Sequence, residues 1–178
     1  MTAAKKTPSK SAKAPSRASK ASATPDAIKL LTADHAEVKA LFKQYEKLVK
    51  AEAGDDEKQD VAQTICQMLT VHAQIEEEIF YPAAREVLDE HDLVDEADIE
   101  HASAKDLIAQ IQASDPSDDH FDAKVKVLGE YIDHHVQEEQ NELFKEVKKA
   151  GLDTAAVGEE LAARKEELMA ATGLETAV

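Results

Sequence analysis

His72-Ala73-Gln74-Ile75-Glu76-Glu77-Glu78-Ile79-Phe80-Tyr81-Pro82 puts a histidine and a carboxylate four residues apart, then an aromatic pair and a proline. Positions i and i+4 share one face of a helix, so His72 and Glu76 point at one object. His135-Val136-Gln137-Glu138-Glu139, followed by Leu143-Phe144, repeats the offset. Two such pairs in a helical chain predict a metal site between helices.

Outward from these pairs, apolar residues recur at helical spacing. Leu31, His35, Val38, Phe42, Tyr45 and Val49 define a first helix over 26–51. Val61, Ile65, Met68, His72, Glu76 and Ile79 define a second from about 57, with Pro82 expected to kink or interrupt it before Leu88. Val94, Ala97, His101, Ala104, Ile108 and Ile111 line a third over 93–113. Val125, Leu128, Ile132, His135, Glu139, Leu143 and Val147 line a fourth over 118–149, stopped by Gly151. Thr24-Pro25 reads as the cap and first position of the first helix. A short acidic helix over 158–170 is expected across one end or loosely against the rest. The fold class predicted is all-α, an antiparallel up-and-down four-helix bundle. Three parts follow: a basic Ala/Ser/Lys/Pro tail over 1–25, left disordered, the bundle over 26–150, and a C-terminal helix and tail over 151–178.

The formal charge of −16 is unevenly spread. Residues 1–25 carry six basic side chains and no acidic one, so the remainder sets 37 acidic against 15 basic groups, about −22. Such a body repels nucleic acid and membrane phosphate, leaving only weak, salt-sensitive contacts to the basic tail. No apolar run reaches the ~20 residues that span a bilayer, and the N-terminus lacks a secretory signal. The single cysteine, Cys66, excludes an internal disulfide. A cytoplasmic protein is expected, and no oligomer is specified.

Within the stripes stands the anomaly. Each apolar face is interrupted near its middle by histidine, and two also by glutamate. Buried carboxylates need a charge partner or a hydrogen-bond network. The interruptions also repeat: Glu100-His101-Ala102-Ser103-Ala104-Lys105 echoes Asp34-His35-Ala36-Glu37-Val38-Lys39. His72 follows His35 by 37 residues and His135 follows His101 by 34. Each hairpin thus gives one histidine from its first helix and a His-x-x-x-Glu pair from its second. Stacked, they offer four imidazoles and two carboxylates, His35, His72, Glu76, His101, His135 and Glu139, enough for two metals bridged by the glutamates. Nitrogen and carboxylate donors without thiolate suit iron, manganese or zinc.

Other assignments compete with parts of this set. His134 with Glu138 forms a second register on the fourth helix, and Glu100 is a substitute donor. Tyr45 lies on the inward face, where ordinary core packing is the first reading and a hydroxyl near the metal pocket the alternative. Lys39 and Lys105 recur one turn past their histidines. Ferritin-like bundles use Glu-x-x-His units instead, and structural zinc takes four ligands, often with cysteine. A helical stress or interaction protein with a polar interior leaves the repeated choice of His and Glu unexplained.

The chain resembles bacterial hemerythrin-like proteins of the HHE cation-binding class over residues 26–170. Asp34-His35, His72-x-x-x-Glu76-Glu77-Glu78 with Phe80 and Pro82, Glu100-His101, and His134-His135-Val136-Gln137-Glu138-Glu139 with Leu143-Phe144 carry the resemblance. It implies a non-haem di-iron centre with two bridging carboxylates, held by the same six residues. The oxygen-carrying relatives have a further histidine where Ala97 stands, and an aspartate one residue beyond Glu139. Oxygen or nitric oxide binding, catalase-like peroxide removal, iron storage and iron-dependent sensing all occur among such proteins. The expected function is therefore binding of, or reaction with, a small oxidant or diatomic gas at two iron ions.

Overall fold

The computed structural model describes Met1 and residues 25–172. The basic tail and its expected disorder lie outside the described residues, as does Thr24. The helices are α1 (Ala27–Lys50), α2 (Asp55–Ile75), α3 (Tyr81–Val87), α4 (Asp92–Gln112), α5 (Phe121–Glu138), α6 (Phe144–Ala150) and α7 (Thr154–Thr172). Single π turns, Glu76–Phe80 and Glu139–Leu143, join α2 to α3 and α5 to α6. Four long rods therefore run up and down, and α7 lies as a fifth beside α1 and α2. Among the described residues no helix is long and apolar enough to cross a membrane.

Local chemistry sets the rod ends. The α1 cap is Asp26, whose carboxylate accepts from the Lys29 backbone N–H at 3.0 Å, and not the Thr24-Pro25 start. Asp supplies that acceptor directly, whereas Pro25 only restricts the approach. Asp55, Asp56 and Glu57 place negative charge at the start of α2. Gly151, at φ 90°, takes the left-handed turn that ends α6.

Pro82 does not interrupt the second rod. The Tyr81 N–H reaches back to the Glu76 carbonyl, closing a π turn, and Pro82 then sits in the opening turn of α3. A proline is tolerated there because the ladder has just been reset. The extra residue also advances the inward face by one. Phe80 and Tyr81 are buried, while Ile79 is only half-buried. The second π turn repeats this with the Phe144 N–H on the Glu139 carbonyl.

Two apolar clusters fill the bundle. One gathers Leu31, Ile75, Phe80, Tyr81, Val94, Leu143, Phe144 and Leu161. The other gathers Val38, Ile65, Leu69, Ala104, Ile108, Phe121, Val125 and Leu128. Between them in each rod comes the polar layer: His35 between Leu31 and Val38, His72 between Leu69 and Ile75, His101 between Val94 and Ala104, and His135 between Leu128 and Leu143.

The C-terminal helix is longer and more firmly seated than the expected 158–170 element. It buries Val157, Gly158, Leu161 and Met169. Thr154 donates to Asp26 at 2.8 Å, and Arg164 donates to Glu78. Gly158 lets it approach the start of α1, since a Cβ there would lie 2.4 Å from the Pro25 carbonyl oxygen.

Candidate metal centre

His35, His72, Glu76, His101, His135 and Glu139 are each at most 6 % exposed, and the bundle gathers all six into one layer. They form two donor sets: His35, His72, Glu76 and Glu139, and then Glu76, His101 and His135. Glu76 belongs to both. Its Oε1 lies 3.2 Å from His72 Nε2 and 4.0 Å from His35 Nε2, while Oε2 lies 3.4 Å from His101 Nε2. Glu139 turns across the bundle to His35, with Oε2 3.3 Å from Nε2. Within each half the imidazoles face each other through Nε2, at 2.9 Å for His35 and His72 and 3.2 Å for His101 and His135.

Nε2 points inward in all four rings, and each Nδ1 faces an outer side chain. His72 Nδ1 lies 3.5 Å from Asp34, and Asp34 in turn accepts from Lys165 of α7 at 2.5 Å. His101 Nδ1 lies 3.0 Å from Glu77, which accepts from Lys105. His135 Nδ1 lies 2.8 Å from Glu100, and His35 Nδ1 lies 2.9 Å from the Gln140 amide. The pattern is as regular as the donor repeat. The residue before each first-helix histidine faces the second-helix histidine of its own hairpin. The residue after each glutamate faces the first-helix histidine of the other hairpin. The carboxylates of Glu77 and Glu100 accept from Nδ1, which fixes ring orientation and tautomer and strengthens His101 and His135 as donors. His72 Nδ1 makes no hydrogen bond, and Gln140 turns its amide nitrogen to His35.

Charge is divided unevenly across the layer. Burial pushes His35 down to about 3, with the neighbouring His72 charge adding to it. His72 is opposed by its own burial, but Glu76 and Asp34 raise it to about 10. His101 is lowered, chiefly by burial, whereas Glu100 and Glu139 raise His135 against the same penalty. Burial and the Glu76 charge hold Glu139 well above the ordinary carboxylate range. Burial works the same way on Glu76, but His72 outweighs it and the group is driven low. The opposed shifts of His72 and Glu76 follow from their contact at 3.2 Å.

The donors fit a pair of metal ions. All four carboxylate oxygens of Glu76 and Glu139 are buried with no hydrogen-bond partner. Each such oxygen costs about 1–3 kcal/mol, more when charged, unless something accepts its lone pairs. A divalent cation would.

The remaining expected residues fall elsewhere. His134 is exposed and pairs with Glu100 and Glu138 at 3.6 and 3.5 Å, forming an outer acidic cluster. Tyr45 does not aim its hydroxyl at the layer. It donates to Asp122 at 2.6 Å, near Lys58, ten residues along α1 from His35, about 15 Å. Ala97, buried, lines the wall beside His135 and Glu139. Lys39 pairs with Asp133 across α1 and α5. His91 and His120 stand exposed at helix starts.

Sequence reasoning missed three neighbours. Tyr81, 2 % exposed, puts its hydroxyl 3.2 Å from His101 Nε2. The reset made by the π turn, which apolar periodicity hides, brings it inward. Gln140 could have been found as the equivalent of Glu77. Lys165 carries no signal, since only the docking of α7 brings it to Asp34.

The chain is similar to known proteins. A solved hemerythrin HHE cation binding domain-containing protein of Mycobacterium kansasii, a homologue of Rv2633c, superposes with a TM-score of 0.67 at 22 % identity, covering 82 % of this chain and 88 % of that one. That likeness shows the fold. A Nostoc protein named DNA nickase is 34 % identical over 112 residues, 62 % of this chain. The match spans 30 % of that protein's length. The family model for the hemerythrin HHE cation binding domain matches residues 26–147, from the α1 cap into α6, and leaves α7 outside. With that match over most of the chain and both donor sets inside it, this protein is a member of the hemerythrin HHE cation binding domain family.

Proposed function

We propose that the polar layer holds two iron ions and that the protein binds, or reacts with, a small oxidant or diatomic gas there. The observation that carries this is the buried, partnerless carboxylate oxygens of Glu76 and Glu139 among four inward Nε2 atoms. His35, His72 and Glu139 would hold one ion and His101 and His135 the other, with Glu76 shared between them. Iron supplies open coordination positions and electrons for a small oxidant. The chain does the rest. Glu77 and Glu100 orient His101 and His135, with Asp34 beside His72 and Gln140 beside His35. The two apolar clusters exclude bulk water and strengthen every charge interaction inside the layer. Zinc or manganese would fit the same donor types, so the metal is decided by loading.

Strand cleavage of nucleic acid, the activity in the name of the Nostoc protein, is not carried over. The 37 acidic side chains repel phosphate, and the similarity covers 30 % of that protein. Any contact with nucleic acid is assigned to the basic tail.

Anaerobic iron loading, elemental analysis and Mössbauer spectroscopy test the reading. The expected result is close to two iron atoms per chain, with imidazole and carboxylate ligands and no haem. One zinc per chain, with no iron centre formed, would refute it. Glu76→Ala should lose most of the coupled centre and keep its helical content. Mixing the reduced protein with oxygen, nitric oxide and hydrogen peroxide then separates the activities. A reversible oxygen adduct means carriage or sensing. Repeated conversion of peroxide to oxygen and water, lost in His101→Ala, means a catalase-like enzyme. An iron-replete protein inert to all three leaves iron storage or a structural role.

A further inference from the structure

His101 stands 66 residues past His35, and His135 stands 63 past His72, so positions around the two halves of the layer can be paired. On the outer side the two faces differ in kind. Asp34, Val71 and Ile75 stand on the α1/α2 face. Val71 and Ile75 are buried, and Lys165 of α7, which packs on α1 and α2, caps Asp34. Their counterparts on the α4/α5 face are Glu100, His134 and Glu138. His134 is exposed, and both glutamates are half-buried.

The pairing continues one turn along. Leu30 and Leu31 occupy the places that Glu96 and Ala97 take in the other half. Leu31 is fully buried. Beside the smaller Ala97 lies a cavity of about 10 Å³, near the room that one water needs. Glu96, Glu100 and Glu138 line it toward the surface, and His135 and Glu139 line it toward the layer. Glu139 is 3 % exposed, and neither of its carboxylate oxygens has a hydrogen-bond partner.

The outer three residues gather donor atoms as a cation site does. His134 Nε2 lies 3.6 Å from Glu100 Oε1 and 3.5 Å from Glu138 Oε1, and each residue places a donor within 4.8 Å of the others. Two carboxylates held this close repel each other, and a shared cation removes that cost. His134 and Glu138 also repeat the four-residue offset of the inner pairs. Glu100 joins the two levels, since its Oε2 lies 2.8 Å from His135 Nδ1. Carboxylates thus line the way from the surface, past Ala97, to Glu139.

We propose that Glu100, His134 and Glu138 bind a divalent cation at the surface, and that this outer site is the port through which metal reaches the buried layer, by way of the cavity beside Ala97. One imidazole and two carboxylates, with water completing the shell, suit a first-row ion such as Fe2+, Mn2+ or Zn2+. The role as a port rests on the two-metal reading of the layer; the outer site itself does not.

The test uses the full chain in the absence of oxygen. Fe2+ uptake by the metal-free chain is stopped at intervals with a chelator, and the retained iron is counted to give an initial rate. His134→Ala and Glu138→Gln should still reach close to two iron atoms per chain, but roughly tenfold or more slowly, the lower end of what a charged funnel adds to an on-rate. Glu130→Gln, an exposed change of equal charge on the same helix, should load at the native rate. Ala97→Leu, which fills the cavity, should slow the initial rate as well. The outer site is read separately, by the EPR signal of Mn2+ added to the iron-loaded chain. Native and Ala97→Leu chains should each hold one more Mn2+ than His134→Ala. Native loading rates in His134→Ala and Glu138→Gln overturn the port, and a native rate in Ala97→Leu overturns the route. Equal Mn2+ binding by the native and His134→Ala chains overturns the outer site. Each of these results leaves the two-metal layer standing. A native chain that takes up no iron overturns the layer and the port together, while Mn2+ titration of that chain still decides the outer site.

Discussion

Gly158→Ala sets two magnitudes of opposite sign against each other on the helix that lies outside the family match. Alanine is preferred over glycine in a helix interior by about 0.8–1.0 kcal/mol, so propensity alone predicts stabilisation. The added Cβ, however, would stand 2.4 Å from the Pro25 carbonyl oxygen and 2.7 Å from the Ala27 nitrogen. Both are backbone atoms that cannot rotate away. Ordinary contact begins near 3.5 Å, so α7 must retreat by roughly 1 Å. Overpacking of this kind costs about 1–3 kcal/mol, and the retreat also loosens Leu161, which is fully buried. The net expectation is destabilisation by about 1–2 kcal/mol, a fall of roughly 3–6 °C in Tm for a chain of this size. Thermal unfolding by circular dichroism reads it. The control is exposed Ala163→Gly, which loses about 1 kcal/mol of propensity without moving α7. Because α7 carries Lys165 to Asp34, and Asp34 faces His72, only Gly158→Ala should hasten iron loss to a chelator. A raised Tm together with unchanged chelator resistance would refute this account of how α7 is seated.

Three shorter predictions follow from individual groups. Lys165→Met leaves Asp34 buried without its cation, and should cost about 1–3 kcal/mol, below the fully buried range because the lysine side chain is 21 % exposed; Lys165→Arg should recover most of it in denaturant titration. Asp26 is opposed by partial burial, but hydrogen bonds from Thr154 and the Lys29 backbone hold its pKa below the ordinary 3.8. Its folded value is thus lower than its unfolded one, so its stabilisation is complete above pH 3.8 and fades as pH falls through the folded value. Asp26→Asn should flatten that acid limb in melts from pH 6 to 2, and an unchanged limb would deny Asp26 the role. Burial pushes the Cys66 thiol up to about 11, so at pH 8 it should label with a thiol reagent far more slowly than in denaturant; fast labelling of the native chain would contradict its packing among the buried residues of the second cluster.

The architecture and the inner layer were legible because both rest on periodicity. Val94, Ala97, His101, Ala104, Ile108 and Ile111, read as one inward stripe, are all buried. The same arithmetic places Glu139 and Leu143 inside. It failed where the period changes. At Glu76–Phe80 the i→i+5 turn adds a residue per turn, which carries Pro82 past the point where it would break the helix and brings Tyr81 inward in place of Ile79. Tyr45 shows a different limit. Its register was right, since it is buried, but a face does not fix a height along the rod, and its hydroxyl ends on Asp122. The α7 contacts depend on tertiary docking alone, which no local spacing encodes.

A repeat read only for its inner donors suggests two equal metal positions, and the outer neighbours argue against that equality. Asp34 and Glu100 preserve the symmetry: each is a carboxylate on the second-helix histidine of its own hairpin. Glu77 and Gln140 break it with a single change of charge. Replacing Gln140 by glutamate restores the carboxylate that the other half already has, at a side chain that is only half-buried. The substitution should strengthen His35 as a donor, favour the oxidised metal, and lower the reduction potential of the loaded protein. Gln140→Leu should leave the potential above that of the glutamate variant, since no carboxylate then reaches His35 Nδ1. Spectroelectrochemical titration of the three proteins at equal iron content orders them. A leucine variant with a potential at or below that of the glutamate variant would show that the ring at His35 is tuned by something other than the residue it touches.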